Sequence, residues 1–200
     1  MGGTFDPIHT GHLCPAEAAL EAFELERVVF IPSGRPPHKR ECGIEDAEHR
    51  YAMVLLATCA NPRFEVSRAE LERRGLSFTV DTVGGLAQIF PEAEFYFITG
   101  ADALVEIFTW RDWMSLFGLC HFIAVPRPGY DLAEFFSQVD GCGAEVARTV
   151  RSRVHIMPAP LLEISSTCIR ACLASGRPVR YLVPEPVYAY IVKHKLYLGD

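Results

Sequence analysis

The chain has 200 residues, half of them apolar and 11% aromatic, with 19 basic against 25 acidic side chains for a formal charge of −6. That is enough chain for one ordinary domain with a full core, and too much apolar content for extended disorder. The acidic balance makes nucleic acid and anionic membranes poor expectations for a partner, and no apolar run reaches the ~18 residues of a membrane span.

In chain order, the sequence opens on Met1-Gly2-Gly3, a loop sequence with no element before it. Residues 15–25 are rich in Ala, Glu and Leu and predict a helix with Pro15 in its first turn. Residues 28–31 (VVFI) predict a buried strand, stopped by Pro32 and Gly34. Residues 46–60 predict a helix with an acidic start, ending at Asn61-Pro62, and 64–66 a weaker strand. A helix over 82–90 follows, although Gly84-Gly85 weakens it. Residues 95–98 (FYFI) predict a strand stopped by Gly100, then a helix over 101–108. Residues 122–125 (FIAV) form the next strand, ended by Pro126 and Pro128, and 154–157 a weaker one. Helices over 167–174 and 187–195 close the chain. Continuous rather than alternating apolar runs suggest strands covered on both faces. With helices between them, they predict an α/β fold: a doubly wound parallel sheet in a single domain spanning 1–200. The seven cysteines include no CxxC pair, which fits reduced thiols in a cytoplasm, and no basic stretch followed by an apolar one is visible at the start, so no signal peptide is expected.

In open parallel sheets ligands bind beyond the carboxyl ends of the strands. The segments there are PSGRPPHK (32–39), TGAD (99–102), PRPG (126–129), ISSTCIR (164–170) and the opening GGTFDPIHTGHL (2–13). The last is neither a Walker loop nor a GxGxxG fingerprint. Gly2 and Gly3 let the backbone approach an anion, and Thr4 adds a hydroxyl. His9 and His12 stand three apart around Gly11; if that turn is helical they share a face, and the helix N-terminus adds N–H groups for a phosphate. A His pair could also bind a metal, but no third ligand is obvious nearby. Ser165, Ser166 and Thr167 are capping residue types, so a plain N-cap stands beside an anion site, with Arg170 one turn in.

GGTFDPIHTGHL together with ISSTCIR resembles the HxGH nucleotidylyltransferase superfamily, and more closely the bacterial nicotinate-nucleotide adenylyltransferases. PSGRPPHK, HRYAMVLLA (49–57), ELERRGLSFTVDT (70–82), FITGADAL (97–104), Trp110, the PRPG loop and the tail 181–197 fit the same family in order. The resemblance implies a Rossmann-like fold and transfer of AMP from ATP to nicotinate mononucleotide, releasing pyrophosphate. In-line attack on the α-phosphorus needs no protein nucleophile, only alignment of two anions and neutralisation of spreading charge. By resemblance His9, His12, Lys39 and Arg170 serve catalysis, with His12 on the α-phosphate. Gly2, Gly3, Thr4, Phe5, Ser165, Ser166 and Thr167 line the ATP site. Thr79, Asp102, Trp110 and Arg127 face the mononucleotide, Trp110 stacking on the pyridine ring. Trp110 and Trp113, three apart, could equally pack a core. Mg²⁺ should travel with ATP, since no carboxylate cluster would cage it. Arg35, Lys39, Arg40, Arg127 and Arg170 would concentrate positive charge along one edge.

Other acceptors, nicotinamide mononucleotide or phosphopantetheine, and a catalytically silent nucleotide-binding regulator are the competing expectations. A cytoplasmic location is expected; the oligomeric state is left open, a homodimer included. In the family the GGTFDP string follows a short central strand, so the first strand is expected to be truncated here, with Met1 standing where it should end.

Overall fold

The computed structural model describes residues 1–36, 43–126, 129–130, 132–158 and 162–198. The elements run β1 (Gly2–Gly3), α1 (Thr10–Ala22), β2 (Val28–Pro32), α2 (Ala47–Thr58), β3 (Phe64–Val66), α3 (Thr79–Ile89), β4 (Tyr96–Gly100) and α4 (Ala101–Val105). A 3₁₀ turn (Glu106–Thr109) leads to α5 (Trp113–Leu119), β5 (His121–Val125), α6 (Leu132–Gly141), α7 (Ala144–Arg153), β6 (Val154–Ile156), α8 (Ser166–Ala174) and α9 (Glu185–His194). The protein is α/β, and every strand pair is parallel. The contacts gather into two compact units, one of Met1–Ser77 with Pro160–Asp200, the other of Phe78–Ala159.

In the first unit β2 lies between β1 and β3. Phe30 is fully buried in β2, and Ile8, Ala16, Ala19, Leu20, Met53 and Val54 are buried with no exposed surface from the loop, α1 and α2. β1 is two residues long, with Gly2 opposite Ile31 and Gly3 opposite Pro32. Its ladder reaches one residue further back: the Ile31 N–H donates to the Met1 carbonyl at 2.9 Å, and the Met1 ammonium donates to the Val29 carbonyl at 2.8 Å. The first strand, expected to be truncated, is present as this two-residue segment.

In the second unit β5 lies between β4 and β6. Phe122, Ala124 and Val154 pack against Leu104, Ile107, Leu116, Phe117, Phe135, Val139 and Val150. The strands predicted at 28–31, 95–98, 122–125 and 154–157 all form, each within one or two residues of its expected ends. Helix α1 begins at Thr10, five residues before the expected start, because His9 and His12 organise its first turn and Pro15 is accommodated inside it. The helix expected over 101–108 breaks into α4 and the 3₁₀ turn. Helices α5, α6 and α7 were not expected: α5 has only seven residues, and α7 is mostly polar and charged. Among the described residues no helix is long and apolar enough to cross a membrane.

Candidate active site

The loop between β1 and α1 is built around one aromatic ring. Phe5 adopts a left-handed backbone (φ 50°) and is 2% exposed. Its ring lies so close that a Cβ on Gly3 would sit 2.9 Å from it, so position 3 accepts no side chain without the ring moving. The same ring meets His12 edge-on, centroids 5.1 Å apart. A left-handed non-glycine residue costs of order 1 kcal/mol and persists where its surroundings fix it.

His9 is the N-cap of α1, extended (φ −148°, ψ 171°) and buried, and His12 is the third residue of the helix. Their rings lie 3.7 Å apart and 32° from parallel, so the helical spacing does place both imidazoles on one face. The His9 backbone N–H donates to His12 Nδ1 at 3.3 Å. An accepting Nδ1 carries no proton, so while this bond is made Nε2 is the ring nitrogen of His12 left to donate. Gly11 sits tightly against His9: a Cβ there would lie 3.0 Å from His9 Nδ1, so the ring would have to give by a few tenths of an ångström.

Helix α8 is pinned to this loop. The Ser165 side chain caps α8, accepting from the Cys168 N–H at 3.1 Å, so the plain capping role is present. The Ser166 hydroxyl donates to the Pro7 carbonyl at 2.9 Å. Arg170 donates through NH1 to the Asp6 carbonyl at 2.6 Å, and through NH2 to the Thr167 hydroxyl at 3.4 Å. Gly2, Gly3, Thr4, Phe5, His9, His12, Ser165, Ser166, Thr167 and Arg170 thus share one unit, as the sequence motifs implied.

Three residues without an expected role hold the loop from behind. Asp6 is 1% exposed, and its carboxylate accepts from the Tyr197 hydroxyl at 2.7 Å. Arg50, equally buried, donates from Nε to the Glu45 carbonyl at 3.0 Å and from NH1 to the Thr4 carbonyl at 2.8 Å. Burial pulls the Arg50 guanidinium below its ordinary range, and the nearby Asp6 charge opposes that. Arg50 left a signal in the sequence, since it shares a helical stripe with Met53 and Val54, where a charge needs a reason. Tyr197 left none.

The second unit carries the remaining predicted residues. Thr79 opens α3, and Asp102 is in the first turn of α4, immediately past the carboxyl end of β4. Trp110 follows the 3₁₀ turn, half-buried, its ring edge-on to Phe97 at 5.9 Å. Trp113 packs on Phe108 and Phe117. Arg111, beside Trp110, pairs with Asp81 of α3 at 3.2 Å and covers the Phe78 ring, tying the tryptophan segment to α3. Lys39 and Arg127 lie outside the described residues, as does Arg40.

The family model described as "Cytidylyltransferase-like" matches residues 1–172. A protein of Moorella thermoacetica named as a probable nicotinate-nucleotide adenylyltransferase is 50% identical over 198 residues, 98% of this chain and 89% of its own. A protein of the same name from Corynebacterium jeikeium is 46% identical, with both chains covered completely. The chain belongs to the nicotinate-nucleotide adenylyltransferases of the cytidylyltransferase-like family. The nicotinic acid mononucleotide adenylyltransferase of Plasmodium falciparum, solved in complex with NaAD, has the same fold as this family member (TM-score 0.74, 20% identity, covering 98% of this chain and 94% of that one). The fold is thus of the Rossmann-like nucleotidylyltransferase type, and the HxGH string of the family is the His9-Thr10-Gly11-His12 turn described above.

Proposed function

We propose that this protein transfers the adenylyl group of ATP to nicotinate mononucleotide, giving nicotinate adenine dinucleotide and pyrophosphate in NAD biosynthesis, as a single cytoplasmic domain spanning 1–200. The observation that carries the mechanism is the bond from the His9 N–H to His12 Nδ1. A phosphate oxygen of the mononucleotide attacks the α-phosphorus in line, one P–O bond forms, and the bond to the bridging oxygen breaks to release pyrophosphate. His12, its Nδ1 taken by the His9 N–H, donates from Nε2 to the α-phosphoryl oxygen as charge builds there. The Gly2 and Gly3 amides, Thr4, Phe5 and His9 line the phosphates at the α1 N-terminus. Ser165, Ser166, Thr167 and Arg170 hold the outgoing phosphates, and Lys39 adds charge from outside the described residues. Thr79, Asp102, Trp110 and Arg127 take the mononucleotide, Trp110 offering a ring face and Asp102 accepting from ribose hydroxyls.

Among the described residues no group of three or more His, Cys, Asp or Glu side chains is placed to hold a metal ion. The proposal has Mg²⁺ arriving on the phosphates of ATP, as part of that substrate.

The test is pyrophosphate release from MgATP with nicotinate or nicotinamide mononucleotide as acceptor. Release with the nicotinate compound is expected, together with a fall of at least about a hundredfold in kcat for His12→Ala. Silence with both acceptors would overturn the transferase assignment, and equal release would overturn the nicotinate preference.

A further inference from the structure

The end of the chain returns to its beginning. Lys195 ends α9 in a left-handed conformation (φ 55°), and the Leu196 N–H donates back to the Ile191 carbonyl at 3.0 Å. That closing turn buries Leu196 and reverses the chain. Tyr197 is left-handed as well (φ 61°), so two of three successive residues hold a backbone that L side chains rarely adopt. What this conformation secures is the 2.7 Å bond from the Tyr197 hydroxyl to Asp6 Oδ1.

Asp6 is where that bond acts. A buried carboxylate beside an arginine ordinarily takes it with both oxygens at about 2.7–2.9 Å. Here Arg170 NH1 stands 3.5 Å from Asp6 Oδ2, while its short contact, 2.6 Å, is to the Asp6 backbone carbonyl. Oδ1 is turned to Tyr197 and, more weakly, to the Glu45 N–H at 3.4 Å. Among the described residues the contacts of Arg170 use its two terminal nitrogens and not Nε. Burial, and then the Asp6 charge, push the Tyr197 phenol well above its ordinary range, so it keeps the proton it donates.

We propose that Tyr197 and Asp6 are positioning residues for Arg170: the Tyr197 hydroxyl holds the Asp6 carboxylate away from a two-oxygen grip on the guanidinium, leaving Arg170 anchored to Asp6 through one nitrogen, with the other terminal nitrogen in only a long 3.4 Å contact to the Thr167 hydroxyl and so able to turn to the ATP phosphates. This rests on the phosphate role given to Arg170 above. Without the hydroxyl the carboxylate turns both oxygens onto Arg170, and that internal pair competes with ATP. The mononucleotide is untouched.

Tyr197→Phe keeps the ring and removes one hydroxyl. Steady-state kinetics are expected to show kcat/KM for ATP lowered about tenfold, the scale of one charge-assisted hydrogen bond, with KM for the mononucleotide within about twofold. In an Arg170→Ala background the same substitution is expected to change kcat/KM for ATP by less than about twofold, because the residue it acts through is gone. A purely structural role would lower both substrates together and by the same factor in both backgrounds; that outcome, or an unchanged kcat/KM for ATP in Tyr197→Phe, overturns the proposal. Should Tyr197→Phe not fold, Asp6→Asn enters the same cycle with Arg170→Ala, and equal factors in both backgrounds overturn it. Equilibrium binding of MgATP, measured by calorimetry on the same variants, separates this from the reaction itself. A wild-type protein that binds ATP without releasing pyrophosphate ends the transferase assignment, while a weaker ATP affinity in Tyr197→Phe still supports the positioning role and an equal one overturns it. A wild type that binds no ATP overturns both.

Discussion

Replacing Arg50 with methionine removes the strut between α2 and the first loop while keeping a chain of similar length in its slot. Two good bonds are lost, to the Thr4 carbonyl at 2.8 Å and the Glu45 carbonyl at 3.0 Å, and a longer one to the Gly34 carbonyl at 3.5 Å. Each good bond has a charged donor and is worth about 1.5–3 kcal/mol. Against this, methionine escapes the cost of burying a guanidinium, the same cost that pulls the Arg50 pKa down. It also leaves buried Asp6 with one fewer cation. The balance is a loss of about 3 kcal/mol, the lower end of what breaking a buried charged network costs. At about 2–4 °C per kcal/mol for a chain of this length, Tm falls by about 6–12 °C. Thermal unfolding followed by circular dichroism reads this directly. Arg50→Lys, which reaches one carbonyl rather than two, is expected to recover only part of the loss. A Tm for Arg50→Met within about 2 °C of wild type would refute the idea that these carbonyls depend on it.

Three further outcomes follow from the geometry. A Cβ on Gly34 would lie 2.2 Å from the Glu70 carbonyl oxygen, a clash with backbone, so Gly34→Ala must separate the two segments and break the bonds of Gly34 and Arg35 to the Ser77 hydroxyl. It is expected to cost about 1–3 kcal/mol in denaturant unfolding, and an unchanged midpoint would contradict the clash. Burial pushes the Cys120 thiol up to about 12, so iodoacetamide at neutral pH should label exposed Cys59 and spare Cys120 in the native protein; equal labelling rates would show the burial to be wrong. His121 is lowered from 6.5 by burial and by Arg153, whose NH1 lies 2.5 Å from its Nε2; the unfolded chain therefore binds the extra proton more readily, and stability drops as pH falls below 6.5. His121→Gln should flatten that decline, and an unaltered pH slope would assign it to other groups.

Most of the fold was legible because its strands are short, continuous apolar runs ended by Pro or Gly, as in the VVFIP of β2 and the HFIAV of β5. Among the helices that escaped notice, α7 carries three arginines and a glutamate in ten residues, so polar side chains outnumber the apolar ones that would draw attention to it. In the site, the sequence named the residues of the His9–His12 turn and of the α8 start because both are dense in Gly, His, Ser and Thr. The supporting shell was harder to see. Asp6 sat inside the recognised string, yet its partner Tyr197 is 191 positions away, and nothing local marks a tyrosine near a helix end as a hydrogen-bond donor to a loop. The early start of α1 was missed for a similar reason: a histidine serving as N-cap, with a second histidine at the third helical position accepting its N–H, is not among the residue types that signal a helix start.

The His9–His12 bond bears on which groups carry positive charge in the proposed reaction. An imidazole whose Nδ1 accepts a backbone N–H cannot take a second proton and keep that bond, so while the bond is made Nε2 is the nitrogen His12 has left to donate from. In the reaction proposed above, the Mg²⁺ carried by ATP shares with Arg170 and Lys39 the charge that accumulates on the α-phosphoryl and the leaving pyrophosphate. Arg170 is 27% exposed and already committed through one terminal nitrogen to the Asp6 carbonyl. A guanidinium can be anchored by one edge and still present another, which a lysine ammonium at the end of a flexible stem cannot do with the same geometry. On the role proposed for it, position 170 is one where arginine and lysine differ in kind, because anchoring and phosphate contact are then two simultaneous uses of one planar group. That double use is also why the orientation of the Asp6 carboxylate matters: an acidic protein that binds two polyanions must keep its few well-placed cations from being claimed by its own carboxylates.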